Sequence, residues 1–161
     1  MSRFSAPRRP VQMPHRSRGV AAVEFVITAP LLIFVMLATA EVGRAFVHYD
    51  TLSYSLRNSA RFVTENALTG TSGVVGLSDA VVRQAQNLAV FGNVVGTGSR
   101  VLPNFQTTHV TVTGGGGLVE VAATYPYQPM IGSVLPTFGF TAGSIPLSFG
   151  MSIVVTMRAV S

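Results

Sequence analysis

Arg16-Ser17-Arg18-Gly19-Val20-Ala21-Ala22-Val23-Glu24-Phe25 is the stretch on which the reading of this chain turns. A basic leader ends at Gly19, and from Val20 to Ala40 an apolar run of 21 residues follows, with Glu24 as its one charged side chain. At 1.5 Å rise per residue such a run fills the roughly 30 Å hydrocarbon core of a bilayer. A charge inside that core costs roughly 2.5–3.5 kcal/mol at mid-membrane and less near an interface. Glu24 therefore calls for a reason.

Upstream of the run, residues 1–19 hold Pro7, Pro10 and Pro14 among Arg and Ser, with no apolar period, which predicts disorder. The chain carries 11 arginines and no lysine, for a net charge of +5. Five of those arginines, at positions 3, 8, 9, 16 and 18, lie in the leader without an acid among them. From Val20 onward six Arg balance six acids, so no basic patch persists for nucleic acid. The positive-inside rule instead keeps the leader in the cytoplasm and sends the C-terminus outward. Arg8-Arg9 does not read as a twin-arginine signal, because Pro10-Val11-Gln12 gives no apolar follow-up.

Downstream, Val42, Phe46, Tyr49, Leu52, Leu56, Ala60, Val63 and Ala67 recur at close to 3.6 residues, the stripe of an amphipathic helix. Arg44, Asp50, Asn58 and Glu65 fall off it. Glu41 with Arg44, and Arg61 with Glu65, sit at helical spacing for weak ion pairs. Pro30, in the membrane run, is tolerable there with a kink. The expectation is one helix from Val20 to Leu68, about 70 Å long. From Tyr49 onward its stripe is expected to pack on the chain's own head, and along other turns against helices of neighbouring chains. Thr69 to Gly76 breaks the helix. Ser78 can cap a second one, with Asp79 in its first turn, Val81, Ala85 and Leu88 buried, and Gly92 as its stop. Asn93 to Arg100 is a Gly-rich linker. Thr107–Thr113 and Leu118–Tyr125 alternate like strands around Gly114–Gly117, which makes a hairpin. Pro126, Pro129 and Pro136 suggest an irregular connection, and Ile145 to Met157 a last strand bent at Gly150. The fold class is α+β: a long N-terminal helix, a short second helix and a small antiparallel β-sheet domain.

Gly19, four apolar residues and then Glu24-Phe25 resemble the cleavage site of type IV-like prepilins. The wider pattern, with Pro30-Leu31-Leu32 and Glu41-Val42-Gly43-Arg44-Ala45, is similar to the TadE-like family, minor pseudopilins of the tight-adherence (Tad/Flp) pilus. Weaker echoes return in Ala123-Thr124-Tyr125-Pro126-Tyr127 and in Ile153 to Arg158. The resemblance implies cleavage after Gly19 by a prepilin peptidase, Val20 as the mature N-terminus, and Glu24 and Phe25 as the assembly residues that pair with that N-terminus. It implies as partners the peptidase, other pseudopilins and pilins, and the Tad inner-membrane assembly platform. The chain then divides into a cytoplasmic leader (1–19), a transmembrane helix (20–40), its amphipathic continuation (41–68) and an extracytoplasmic α+β domain (69–161), held as a single-pass protein of the inner membrane.

Catalytic chemistry finds no footing. Cysteine is absent, which excludes disulfides and thiolate metal sites, and the lack of lysine excludes a Walker A loop and Schiff-base catalysis. His15, His48 and His109 each read as ordinary surface, without a second ligand at metal spacing. No carboxylate pair suggests acid/base work, and G-x-S-x-G and H-E-x-x-H are missing. No catalytic, cofactor or metal site is expected. Two other readings share the opening stretch. Glu24 can snorkel at the interface of an uncleaved single-pass anchor that carries a binding domain. Alternatively, Phe25–Leu37 serves as the h-region of a signal peptide with an A-x-A site at Ala38-Thr39-Ala40, releasing a soluble domain.

Overall fold

The computed structural model describes residues 16–67, 76–130, 132, 134–135 and 145–159. Leader positions 1–15 with His15, most of the Thr69–Gly76 break, and Pro136 lie outside them. The chain divides into two compact units, Met1–Thr39 and Ala40–Ser161.

Helix α1 runs Arg16–Asn66 and contains Pro30. It begins four residues before Val20, inside the stretch whose prolines and arginines predicted disorder. Those prolines all precede Arg16, so nothing in Arg16–Gly19 breaks a helix propagating back from the apolar run. In the first unit the apolar side chains are exposed: Val20 is 68% accessible and Leu32 67%. Thr28 and Thr39 donate their hydroxyls to the carbonyls of Glu24 and Val35 four residues back, which hides two polar groups in an apolar surface.

The second unit builds its own core. Leu52, Leu56, Ala60 and Val63 of α1, and Ala67 just past its end, are fully buried. Helix α2 spans Asp79–Phe91. Ser78 caps it, accepting from the Val81 N–H, and Gly92 ends it in the left-handed conformation at φ 71°, where its N–H donates to the Leu88 carbonyl. Small residues let the two helices approach. The Ser59 hydroxyl, fully buried, donates to the Ala85 carbonyl at 2.8 Å. On α2 the buried positions are Ala85, Ala89 and Val90, whereas Val81 and Leu88 are half-buried.

Strands β1 (Val110–Gly115), β2 (Leu118–Tyr127) and β5 (Phe149–Arg158) form an antiparallel sheet in the order β1-β2-β5. Gly116 and Gly117, both at positive φ (60° and 77°), close the β1–β2 hairpin, the conformation a tight two-residue turn demands. Thr107–His109, read from sequence as strand, is a single 3₁₀ turn leading into β1. Two further short strands, β3 (Val134–Leu135) and β4 (Ile145–Pro146), pair with each other. Ile145–Met157 is thus two strands rather than one. Pro126, expected in a loop, sits inside β2 opposite Gly150. Strand β1 stops pairing at Ala123, so β2 has a single neighbour at Pro126, and a missing N–H is tolerated. Along β2 the residues Val119, Val121, Ala123, Tyr125 and Tyr127 alternate into the core, and Met151 and Ile153 join them from β5. The architecture is α+β.

The stripe on α1 is rotated from its expected face over its first turns. Val42, Phe46 and Tyr49 are 55%, 70% and 51% exposed, and the packed side there carries Glu41, Arg44, Ala45 and His48. Leu56→Ala should therefore destabilise the detergent-solubilised protein by about 2–5 kcal/mol. Phe46→Ala should shift it by no more than about 0.5 kcal/mol in the same urea titration followed by far-UV circular dichroism.

Candidate functional site

Two groups of residues stand out, one in each unit. The first is the opening of α1. Gly19, Val20, Glu24 and Phe25 are exposed there, Val20 at 68% and Phe25 at 69%. A Cβ built at Gly19 meets nothing within 4 Å, so its surroundings do not require glycine. Val20 and Glu24 stand four residues apart on a helix and hence on one face.

The second group is a polar clasp in Ala40–Ser161. It joins the residues that follow the apolar run to the end of β2. Tyr127, buried on the core face of β2, donates its hydroxyl to Glu41 Oε1. The Met130 N–H donates to the same carboxylate, 3.3 Å from each oxygen. Arg44 lies one turn on from Glu41, its Nε 3.5 Å from Glu41 Oε1. That Nε also donates to Tyr127 Oη at 3.3 Å, and Nη2 donates to the Gln128 carbonyl. One turn further, His48 Nδ1 is 3.2 Å from Tyr125 Oη, and its imidazole meets the Tyr127 ring edge-on at 5.5 Å between centroids. No buried side-chain polar atom among the described residues is left without a partner.

The electrostatics follow from these contacts. Burial pushes the Glu41 carboxyl up, but the Tyr127 hydroxyl, the Met130 N–H and the Arg44 charge together outweigh it and hold the group below its ordinary value of 4.5. Burial pushes the His48 imidazole below its ordinary 6.5, helped by the charge of Arg44 and opposed by Glu41. A neutral ring leaves Nδ1 free to accept the Tyr125 hydroxyl. Burial raises both tyrosines, and Tyr127 further because its proton is held by Glu41. The Glu41 carboxylate, the Arg44 Nε, the His48 Nδ1 and both tyrosine hydroxyls thus each meet another member. Such a cluster ties a helix to a strand. Among the described residues there is no group of three or more His, Asp or Glu that could hold a metal ion.

Gly19, Glu24 and the clasp residues Glu41, Arg44 and His48 all fall in one stretch. That stretch is TadE-like: the family model for TadE-like protein matches residues 19–61. The match agrees with the resemblance carried by the sequence motifs. It covers about a quarter of the chain and stops within the buried half of α1. It supports a likeness of this stretch to proteins of the Tad pilus. Comparison with curated proteins and with solved structures found no match. One helix among the described residues is long and apolar enough to cross a membrane, and none of its most apolar window is buried.

Sequence reasoning set Arg44 off the stripe and His48 on the surface. The helical spacing of 41, 44 and 48 is itself a stripe, and two same-face tyrosines, Tyr125 and Tyr127, offered hydroxyl-tipped partners. The sign of the pH response separates the clasp members. The extra stability from Glu41 is complete above its ordinary value of 4.5 and is lost as pH falls through its lowered one. His48 resists protonation when folded, so stability also declines as pH falls below 6.5. In urea titrations across pH 7 to 3.5, Glu41→Gln should flatten the lower slope and His48→Gln the upper one. Tyr127→Phe should cost about 1–2 kcal/mol at neutral pH, within the range for a hydrogen bond to a charged group after allowing for partial exposure.

Proposed function

We propose that this chain is a TadE-like minor pseudopilin that acts in assembling a Tad/Flp-type pilus for surface adherence. In this reading residues 1–19 are a cytoplasmic leader and 20–40 the anchor. Residues 41–68 continue the helix outside the membrane, and 69–161 form the extracytoplasmic head. A prepilin peptidase cuts after Gly19. The partners are that peptidase, other pseudopilins and pilins, and the Tad platform of the inner membrane. The observation that carries the reading is where the family match starts: at Gly19, where the arginines end and the apolar helix goes on, with Glu24 five residues further.

Cleavage gives Val20 a cationic α-amino group, mostly protonated at neutral pH. That ammonium and the Glu24 carboxylate are each costly in lipid and far less so as a pair. Being four residues apart they can meet within one helix, or Glu24 can take the amino group of a neighbouring subunit, which draws the two helices into register. The export reading keeps one specific observation: the second compact unit starts at Ala40, the last residue of the A-x-A site. Cut there, it would be released rather than anchored.

Mass spectrometry of the mature N-terminal peptide separates these readings. A peptide starting at Val20 is expected; one starting at Glu41 would establish export. Gly19→Arg should leave the leader attached, and maturation at Val20 in that variant would move the site elsewhere. Glu24→Gln should still be cut and inserted but should not co-purify with partner pseudopilins. Normal piliation with Glu24→Gln as the only copy would remove Glu24 from assembly.

A further inference from the structure

Beside the clasp lies an open cleft of about 340 Å³ in the second unit, lined by Val42, Ala45, Phe46 and Tyr49 of α1, by Tyr127 of β2, by Leu147 just before β5, and by Phe149 and Met151 at its start. Its lining is apolar apart from Glu41 and the hydroxyls of Tyr49 and Tyr127, and the Glu41 carboxylate is already taken by Tyr127, Met130 and Arg44. Phe46 is 70% exposed, Val42 55%, Phe149 51%, and the neighbouring Met130 78%. We propose that this cleft seats acyl chains of the phospholipid leaflet from which α1 emerges, so that the head rests in the membrane interface rather than standing clear of it.

The argument is one of distance and chemistry, and it rests on the reading that residues 20–40 span the bilayer. That run matches the hydrocarbon core in length, so the next residues enter the interfacial layer, about 5–8 Å deep on each side. Val42 is two residues past Ala40, a rise of about 3 Å, and Phe46 is six, about 9 Å. Helical side chains lean toward the helix N-terminus, so the Phe46 ring reaches back toward the core by part of a turn. In sequence the apolar lip thus begins two residues after the apolar run ends. Phe149 faces it from the sheet, its ring 5.2 Å from that of Tyr127. A protein partner is ordinarily met by a polar rim with hydrogen bonds to offer. This cleft presents methyl, thioether and ring carbons, with its one carboxylate neutralised by Arg44, which suits hydrocarbon.

The chain has no tryptophan, so a single one reports cleanly. Full-length Phe149→Trp, Ile33→Trp and Tyr54→Trp are each placed in phosphatidylcholine vesicles at high lipid-to-protein ratio. Tyr54 is 68% exposed and lies about 21 Å past Ala40 along the helix, beyond the interface. Ile33→Trp, within the run, tests the span itself through quenching by lipid brominated near its chain ends. With that span present, Phe149→Trp should emit at shorter wavelength than Tyr54→Trp. It should lose intensity with lipid brominated high on its chains, while Tyr54→Trp is unaffected. If Ile33→Trp is quenched but Phe149→Trp is not, the cleft does not hold lipid. A blue-shifted Phe149→Trp that ignores brominated lipid, and whose shift vanishes as protein is diluted in the bilayer, would show a second copy in the cleft and overturn the proposal. If Ile33→Trp itself is not quenched, the spanning reading fails and the lipid seat fails with it.

Discussion

The carboxylate of Glu41 decides how the second unit of this protein is put together. A partly buried carboxylate is tolerable only where donors surround it. Here they come from one turn further along the same helix (Arg44), from the end of β2 (Tyr127) and from the backbone beyond it (Met130). The contacts from Tyr127 and Met130 join positions more than 80 residues apart in the chain. They fix the rotation of α1, because Glu41 facing β2 leads at helical spacing to Ala45, His48, Leu52, Leu56, Ala60 and Val63 on the packed side. The polar cluster hands over at Leu52 to a mainly apolar seam, in which Ser55 and Ser59 keep their hydroxyls bonded to backbone carbonyls.

That handover explains what could be read from the sequence. Leu52 onward is apolar on one face and polar on the other, and the period alone finds the core. The α2 caps were legible because Ser78 and Gly92 each act within their own turn, and so was the ion pair Arg61–Glu65, at 3.0 Å. The four-glycine hairpin was legible too, although Gly114 and Gly115 extend the strand and only Gly116 and Gly117 turn it. Between Glu41 and Tyr49 the period is ambiguous. Val42, Phe46 and Tyr49 form one helical stripe, Glu41, Arg44 and His48 another, and hydrophobicity favours the wrong one. What reverses the choice is a pair of tyrosine hydroxyls on a distant strand. Pro126 misled for a related reason: proline argues against a central strand, and nothing local says that the neighbouring strand has ended three residues earlier. At the other end, Gly19, Val20, Glu24 and Phe25 were legible only as a motif. Their surroundings in the folded chain are open, and no packing argument singles them out.

The family match follows this division. It begins at Gly19 and runs to residue 61, taking in the exposed apolar helix, the clasp residues of α1 and the first buried turns. It leaves out β2, whose tyrosines complete the clasp. The clasp is thus half inside the matched stretch and half outside it. A head attached to this helix must supply hydroxyl or backbone donors for Glu41, or else replace Glu41.

Glu24, inside the apolar run, and Glu41, just past its end, obey the same physics with opposite outcomes. Glu41 finds its donors within the chain, so its charge is an internal matter and holds the head to the helix. Glu24 has an exposed side chain on an apolar helix, with no hydrogen bond or ion pair to it among the described residues. In water that would be unremarkable. In a bilayer an unpaired carboxylate is costly, and the described part of the fold offers nothing to offset it. The remedy must then come from the lipid headgroups, from the amino group that the proposed cleavage would create at Val20, or from another subunit. The first two ease insertion without choosing a partner. Only the third turns the cost of burying one charge into a rule for which helix stands beside which, and in what register.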